Sequence, residues 1–199
     1  MKKIETIWHH LLWQALEKEQ YKHTQKELAE DFGYSLSTVN LALAKPTQIG
    51  AIRKTARFFV LADLKKLLYY WATNRNLKKD VIYKTSFLGS ITEAEGVVPT
   101  GVVYAGYTAA KKILKEAPAD YTKLYFYAEE KDLNEVKQRF PPQKKGQVEV
   151  FVLKKILSLD RYGQITSLPQ TFVDIWNMAD WYAKDFVKSL EEKIDGLLS

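Results

Sequence analysis

Thr24-Gln-Lys-Glu-Leu-Ala-Glu-Asp-Phe-Gly33-Tyr-Ser35-Leu-Ser-Thr-Val-Asn-Leu-Ala-Leu-Ala44 is the stretch whose reading decides the fold. Thr24 is a good N-cap with Glu27 three residues on, the pairing of a capping box that satisfies orphan N–H groups at a helix start. Leu28, Ala29 and Phe32 then share one apolar face. Gly33 supplies the positive φ with which a chain leaves a helix without a Cβ penalty, and Ser35 offers a second N-cap. Beyond it, Leu36, Val39 and Leu43 fall on the inward side of another helix. Two short helices around a tight corner predict a helix-turn-helix. The spacing sharpens this: Ala29 is small where the helices cross, Gly33 stands at the corner, and Val39 is a branched side chain that locks the second helix onto the first. On the outer side of that second helix, Ser35, Ser37, Thr38, Asn40 and Lys45 suit phosphate contact or base-edge readout in a major groove. A helical hairpin with a merely solvated polar face satisfies the same pattern.

Charge singles out the same part of the chain. The 199 residues carry a net +6; residues 1 to 80 hold 14 Lys/Arg against 8 Asp/Glu, and residues 81 to 199 hold 16 against 16, so the whole excess lies in the first part. Between residues 45 and 79 there are nine basic residues and one acid, Asp63. A basic module joined to a neutral one is the pattern of a polyanion-binding head with a separate partner or ligand module. The hydrophobic fraction of 46% is enough for a sizeable core. Cysteine is absent, which excludes disulfides, thiolate zinc sites and a cysteine nucleophile, and fits a reducing cytoplasm. Glu5, His9, His10 and Gln14 interrupt the N-terminal apolar segment, so neither a signal core nor a membrane span is expected.

Ile4, Ile7, Trp8, Leu11, Leu12, Ala15 and Leu16 repeat at helical spacing and predict a supporting helix with Glu5, His9 and Gln14 outside. Three histidines, His9, His10 and His23, complete no metal-ligand spacing and read as surface residues. Pro46 is expected to kink or end the second helix of the motif. Residues 51 to 61 then read as two short strands around a basic tip, with Arg53, Lys54 and Arg57 placed to follow flanking phosphates or a minor groove. Following a helix-turn-helix, that is a wing. Asp63 caps a helix carrying Leu64, Leu67, Leu68, Trp71 and Ala72, and Arg75, Lys78 and Lys79 at its end are available to a phosphate. Beyond Asp80, strand-like runs at 81–85, 124–128 and 148–153 alternate with helical ones at 92–114, interrupted by Pro99 and Gly101, and at 132–140, 171–177 and 180–197. The reading is therefore α+β/α/β: a winged helix-turn-helix over residues 1–79 and a small α/β domain over 80–199.

With the wing and second domain in hand, the chain resembles the AbiEi-like antitoxin family of winged-helix transcriptional regulators from type IV toxin–antitoxin systems. The likeness lies in Ser37-Thr38-Val39-Asn40, Ile49-Gly50-Ala51-Ile52 and Leu67-Leu68-Tyr69-Tyr70-Trp71-Ala72, then in Tyr104-Ala105-Gly106-Tyr107-Thr108-Ala109-Ala110 and Leu168-Pro169-Gln170-Thr171-Phe172-Val173-Asp174-Ile175-Trp176. These segments specify a fold and carry no catalytic signature. The resemblance implies autoregulation through promoter repeats, double-stranded DNA as partner, and a second domain that serves this or counters a cognate toxin.

Two other classes stay open beside it. Gly89-Ser90 after a strand is a fragment of a nucleotidyltransferase phosphate-gripping turn, but the acids that follow, Glu93 and Glu95, fall on a helix, and Asp160 and Asp174 stand alone. The expectation is no enzyme and no cofactor. A winged-helix protein-interaction module is the third class, although it leaves the basic block from Lys45 to Lys79 without a use. Repeated DNA sites suit paired heads, so a homodimer is compatible, though no heptad seam is present.

Overall fold

The computed structural model describes residues 1–198, and its first helix, α1 (Lys3–Lys18), is buried on more sides than its apolar stripe predicts. Glu5 is 2% exposed and His9 1%, where the sequence reading sets both outside and takes the histidines for surface residues. The cause is long-range. Arg75 lies 3.4 Å from the Glu5 carboxylate in a buried ion pair, the Trp71 indole also points its N–H at Glu5, and the His9 ring lies 5.6 Å from that of Trp71. Arg75 therefore faces inward and offers nothing to a phosphate.

After β1 (Lys22–His23), the two caps form as the sequence requires. Thr24 and Glu27 make the reciprocal capping box of α2 (Gln25–Phe32), Gly33 leaves it at φ 62°, and the Ser35 hydroxyl accepts from Thr38 N–H at the start of α3 (Leu36–Gln48). Val39, Ala42, Leu43 and Pro46 are the buried stripe of α3. Leu36 is not part of it: it is 56% exposed at the first helical position, too far out for the core to reach.

Pro46 does not end α3, which continues to Gln48. Proline lacks the N–H that would bond the carbonyl of residue 42. That carbonyl instead accepts the Trp8 indole N–H at 2.7 Å, so the interruption costs no hydrogen bond. Next, β2 (Ile52–Lys54) and β3 (Phe59–Leu61) pair antiparallel through the turn Thr55–Phe58, and β1 adds to the other edge of β3, giving a sheet ordered β1-β3-β2. Asp63 caps α4 (Leu64–Asn74), whose Leu67, Leu68 and Trp71 are buried.

Residues 1–75, joined by residues 194–198, form one compact unit and residues 76–193 a second. The sequence reading divides the chain at 79/80 and leaves its end in the second part. Asp195 instead pairs with Lys65 at 2.6 Å.

The second unit runs β4 (Val81–Phe87), α5 (Ile91–Gly96), β5 (Val103–Ala105), α6 (Gly106–Leu114), β6 (Lys123–Ala128), α7 (Leu133–Arg139), β7 (Val148–Lys154), α8 (Leu168–Trp176) and the part of α9 (Ala183–Leu198) that precedes Ile194. Its mixed sheet is ordered β4-β7-β6-β5, with only β6 and β7 parallel. Strands β6 and β7 expose alternate side chains to two buried faces. Leu124, Phe126, Ala128, Val148, Val150 and Val152 pack with Ala94, Val136 and Phe140. On the other side Tyr125 stacks on Phe151 at 4.6 Å and Tyr127 donates to Asp174 at 2.8 Å. Residues 103–105, expected inside a helix, are an edge strand pairing with β6; three residues carry no period of their own. The fold class is α+β, with helices and two small sheets.

Candidate functional site

Ser35, Ser37 and Thr38 are brought together at the start of α3. The Ser35 hydroxyl lies 2.9 Å from both the Ser37 and Thr38 hydroxyls while accepting from Thr38 N–H, so it is engaged in holding the helix start. Four residues on, Lys54 Nζ donates to Asn40 Oδ1 at 2.9 Å, tying the β2–β3 ribbon to the outer side of α3. The Asn40 amide N–H₂ stays available as a donor pair. Lys45 is exposed and donates to Gln48 at 3.3 Å.

The three ribbon cations do not share one face. Successive side chains on a strand point oppositely, and Lys54 stands with buried Ile52 and Phe59 while Arg53 stands with Val60. Lys22 on β1 pairs with Val60 from the other edge, so Lys22, Val60 and Arg53 form a row across the solvent side of the sheet. Arg57 sits at the turn. With Lys26, Leu36, Lys54, Thr55 and Phe58 it lines a cleft of about 300 Å³ between the ribbon and the starts of α2 and α3. Beneath the ribbon, burial holds the His23 imidazole below its ordinary pKa against the opposing pull of the Gln20 carbonyl and Glu27.

Sequence reasoning missed two things here. Lys22 went unseen because a two-residue strand leaves no signal. Leu41, Ala44 and Gln48 went unseen because the outward face of α3 was read for polar side chains alone. Stepping from Ser37 by four, three and four residues lands on Leu41, Ala44 and Gln48, all exposed, and a 100° helical wheel places that row opposite the buried stripe.

The acids of the second unit have structural engagements. Glu93 accepts from both Ser90 N–H and its hydroxyl, closing a capping box on α5, which holds its carboxyl below the ordinary range. Glu95 accepts from Thr108 and Tyr121, each at 2.8 Å. Asp160 pairs with Lys155 at 2.6 Å, and buried Asp174 accepts from Tyr127 and Gln170. Among the described residues, no three His, Asp or Glu side chains converge as a metal-ligand set. Among them too, no helix is long and apolar enough to cross a membrane.

No family model, curated protein or solved structure matches this chain.

Proposed function

We propose that the first unit is a winged helix-turn-helix that binds double-stranded DNA, and that the chain is a non-enzymatic, autoregulatory transcriptional regulator of the antitoxin-like kind acting in the cytoplasm. The observation that carries this reading is the Lys54–Asn40 hydrogen bond, which joins one cation of the ribbon directly to the outer side of α3. Helix α3 enters the major groove with Ser37, Thr38 and Asn40 toward base edges. Lys45, Arg53 and Arg57 contact phosphates on either side, with Ser35 holding the helix start between them.

The second unit serves a protein partner. Trp176 and Trp181 are exposed there, aromatic side chains of the type that anchor interfaces, and a cognate toxin is the partner that the antitoxin reading supplies. The test is a gel shift of the full chain against the DNA immediately upstream of its own gene. The expected outcome is a complex that survives excess unrelated competitor DNA at moderate salt. Equal competition by unrelated duplex, or no complex at micromolar protein, rejects the regulator.

A further inference from the structure

The centre of the outward face of α3 is apolar. Leu41 is 67% exposed, Ala44 lies beside it a turn later, and Ser37 and Gln48 extend the row at either end. Single exposed leucines are ordinary on protein surfaces. This one lies between Asn40 with Lys54 on one side and Lys45 on the other, on a face otherwise suited to polyanion contact. Charge complementarity of that rim commits the occupant to duplex DNA rather than to an apolar partner.

The major groove presents one apolar group to such a side chain, the C5-methyl of thymine. We infer that Leu41, with Ala44, reads thymine methyl groups and is a specificity-determining residue of this helix; the inference rests on the DNA-binding reading above. Its selectivity has two sources. A thymine methyl packed on the leucine leaves water, while cytosine or guanine at the same step buries N4–H₂ or O6 and N7 against a side chain that cannot pair with them. Leu41 is largely exposed and lies outside the buried stripe of α3, so its truncation leaves folding nearly unchanged.

The experiment enriches preferred sites for the full chain from a randomised duplex pool, then replaces thymines one at a time by deoxyuridine. That exchange removes one methyl group and keeps every hydrogen bond. At one or two thymines the affinity of the native chain falls about fourfold, the equivalent of one buried methyl group. Leu41→Ala binds more weakly and is indifferent to deoxyuridine at those positions, whereas Leu41→Met keeps the penalty. If the native chain tolerates deoxyuridine everywhere, or Leu41→Ala still pays the same penalty, the inference falls while DNA binding stands. If no sequence enriches and no duplex is bound, the proposed function falls with it. Self-association that Leu41→Ala abolishes, with no deoxyuridine effect, assigns the leucine to contact between copies and overturns the inference.

Discussion

At the scale of single residues, Asn40 and Lys54 act as one group, and their separate truncations misrepresent either. Removing Lys54 frees the Asn40 carbonyl oxygen as well as deleting a cation, and removing Asn40 releases Lys54 to swing toward a phosphate. In a double-mutant cycle with Asn40→Ala and Lys54→Met, DNA-binding free energies are therefore non-additive by about 0.5 to 3 kcal/mol. Additivity within a few tenths in a titration by fluorescence anisotropy refutes the coupling. His9 makes a second residue-scale prediction. Burial pushes its imidazole down to about 3 from an ordinary 6.5, with the adjacent His10 a smaller contribution in the same direction. The unfolded chain takes up a proton below pH 6.5 that the folded chain refuses, so His9 leaves stability intact above that pH and removes it as pH falls toward 3. The buried His23, also shifted down, adds with the same sign. Between pH 6.5 and 5, unfolding free energy drops with a slope of up to about 1.4 kcal/mol per pH unit for each such histidine. Denaturation across that window checks it: His9→Gln lowers the slope whatever it does to absolute stability, and an unchanged slope contradicts the assignment.

At the scale of elements, what was legible was what neighbours in sequence enforce. Thr24, Gly33, Ser35 and Asp63 cap or terminate helices through bonds spanning three or four residues, and each does what its position implies. Tertiary partners made the rest illegible. The strands at 22–23 and 103–105 exist because β3 and β6 pair with them, and Glu5 is buried because Arg75 reaches it from 70 positions along the chain. At the candidate site, the polar residues of α3 were visible from helical spacing, but the strand pleat that turns Arg53 away from Lys54 requires the pairing register. Helix α3 passing through Pro46 is the same lesson in reverse, a local rule offset by the indole of Trp8. That arrangement is testable as a rescue. Trp8→Phe leaves the carbonyl of Ala42 without its donor and costs about 1 to 3 kcal/mol beyond lost packing. Pro46→Ala restores a backbone N–H four residues ahead of that carbonyl, so Trp8→Phe is less costly in the Pro46→Ala background. Chemical denaturation of the four chains reads the difference directly; identical costs in both backgrounds exclude the compensation.

For the whole molecule, the asymmetry of charge sets how binding responds to salt. The first 80 residues carry an excess of six positive charges, 14 against 8, and the remainder carries none, 16 against 16. Each phosphate neutralised on B-DNA contributes about −0.9 to the slope of log affinity against log salt, because condensed counterions are released. Lys22, Lys45, Arg53 and Arg57 are exposed in the first unit, and Lys112, Lys144, Lys145 and Lys188 are exposed in the second. Changing all four of the first set to Gln flattens the slope by about 0.9 for each phosphate contact removed, and weakens binding to preferred and random duplexes alike. Changing the second set to Gln alters net charge by the same amount and leaves the slope close to that of the native chain. Equal effects of the two sets make the attraction a property of overall charge, as for any basic protein near a polyanion. A loss confined to the first set locates it on the sheet and α3, where the residue-level contacts above require it to be.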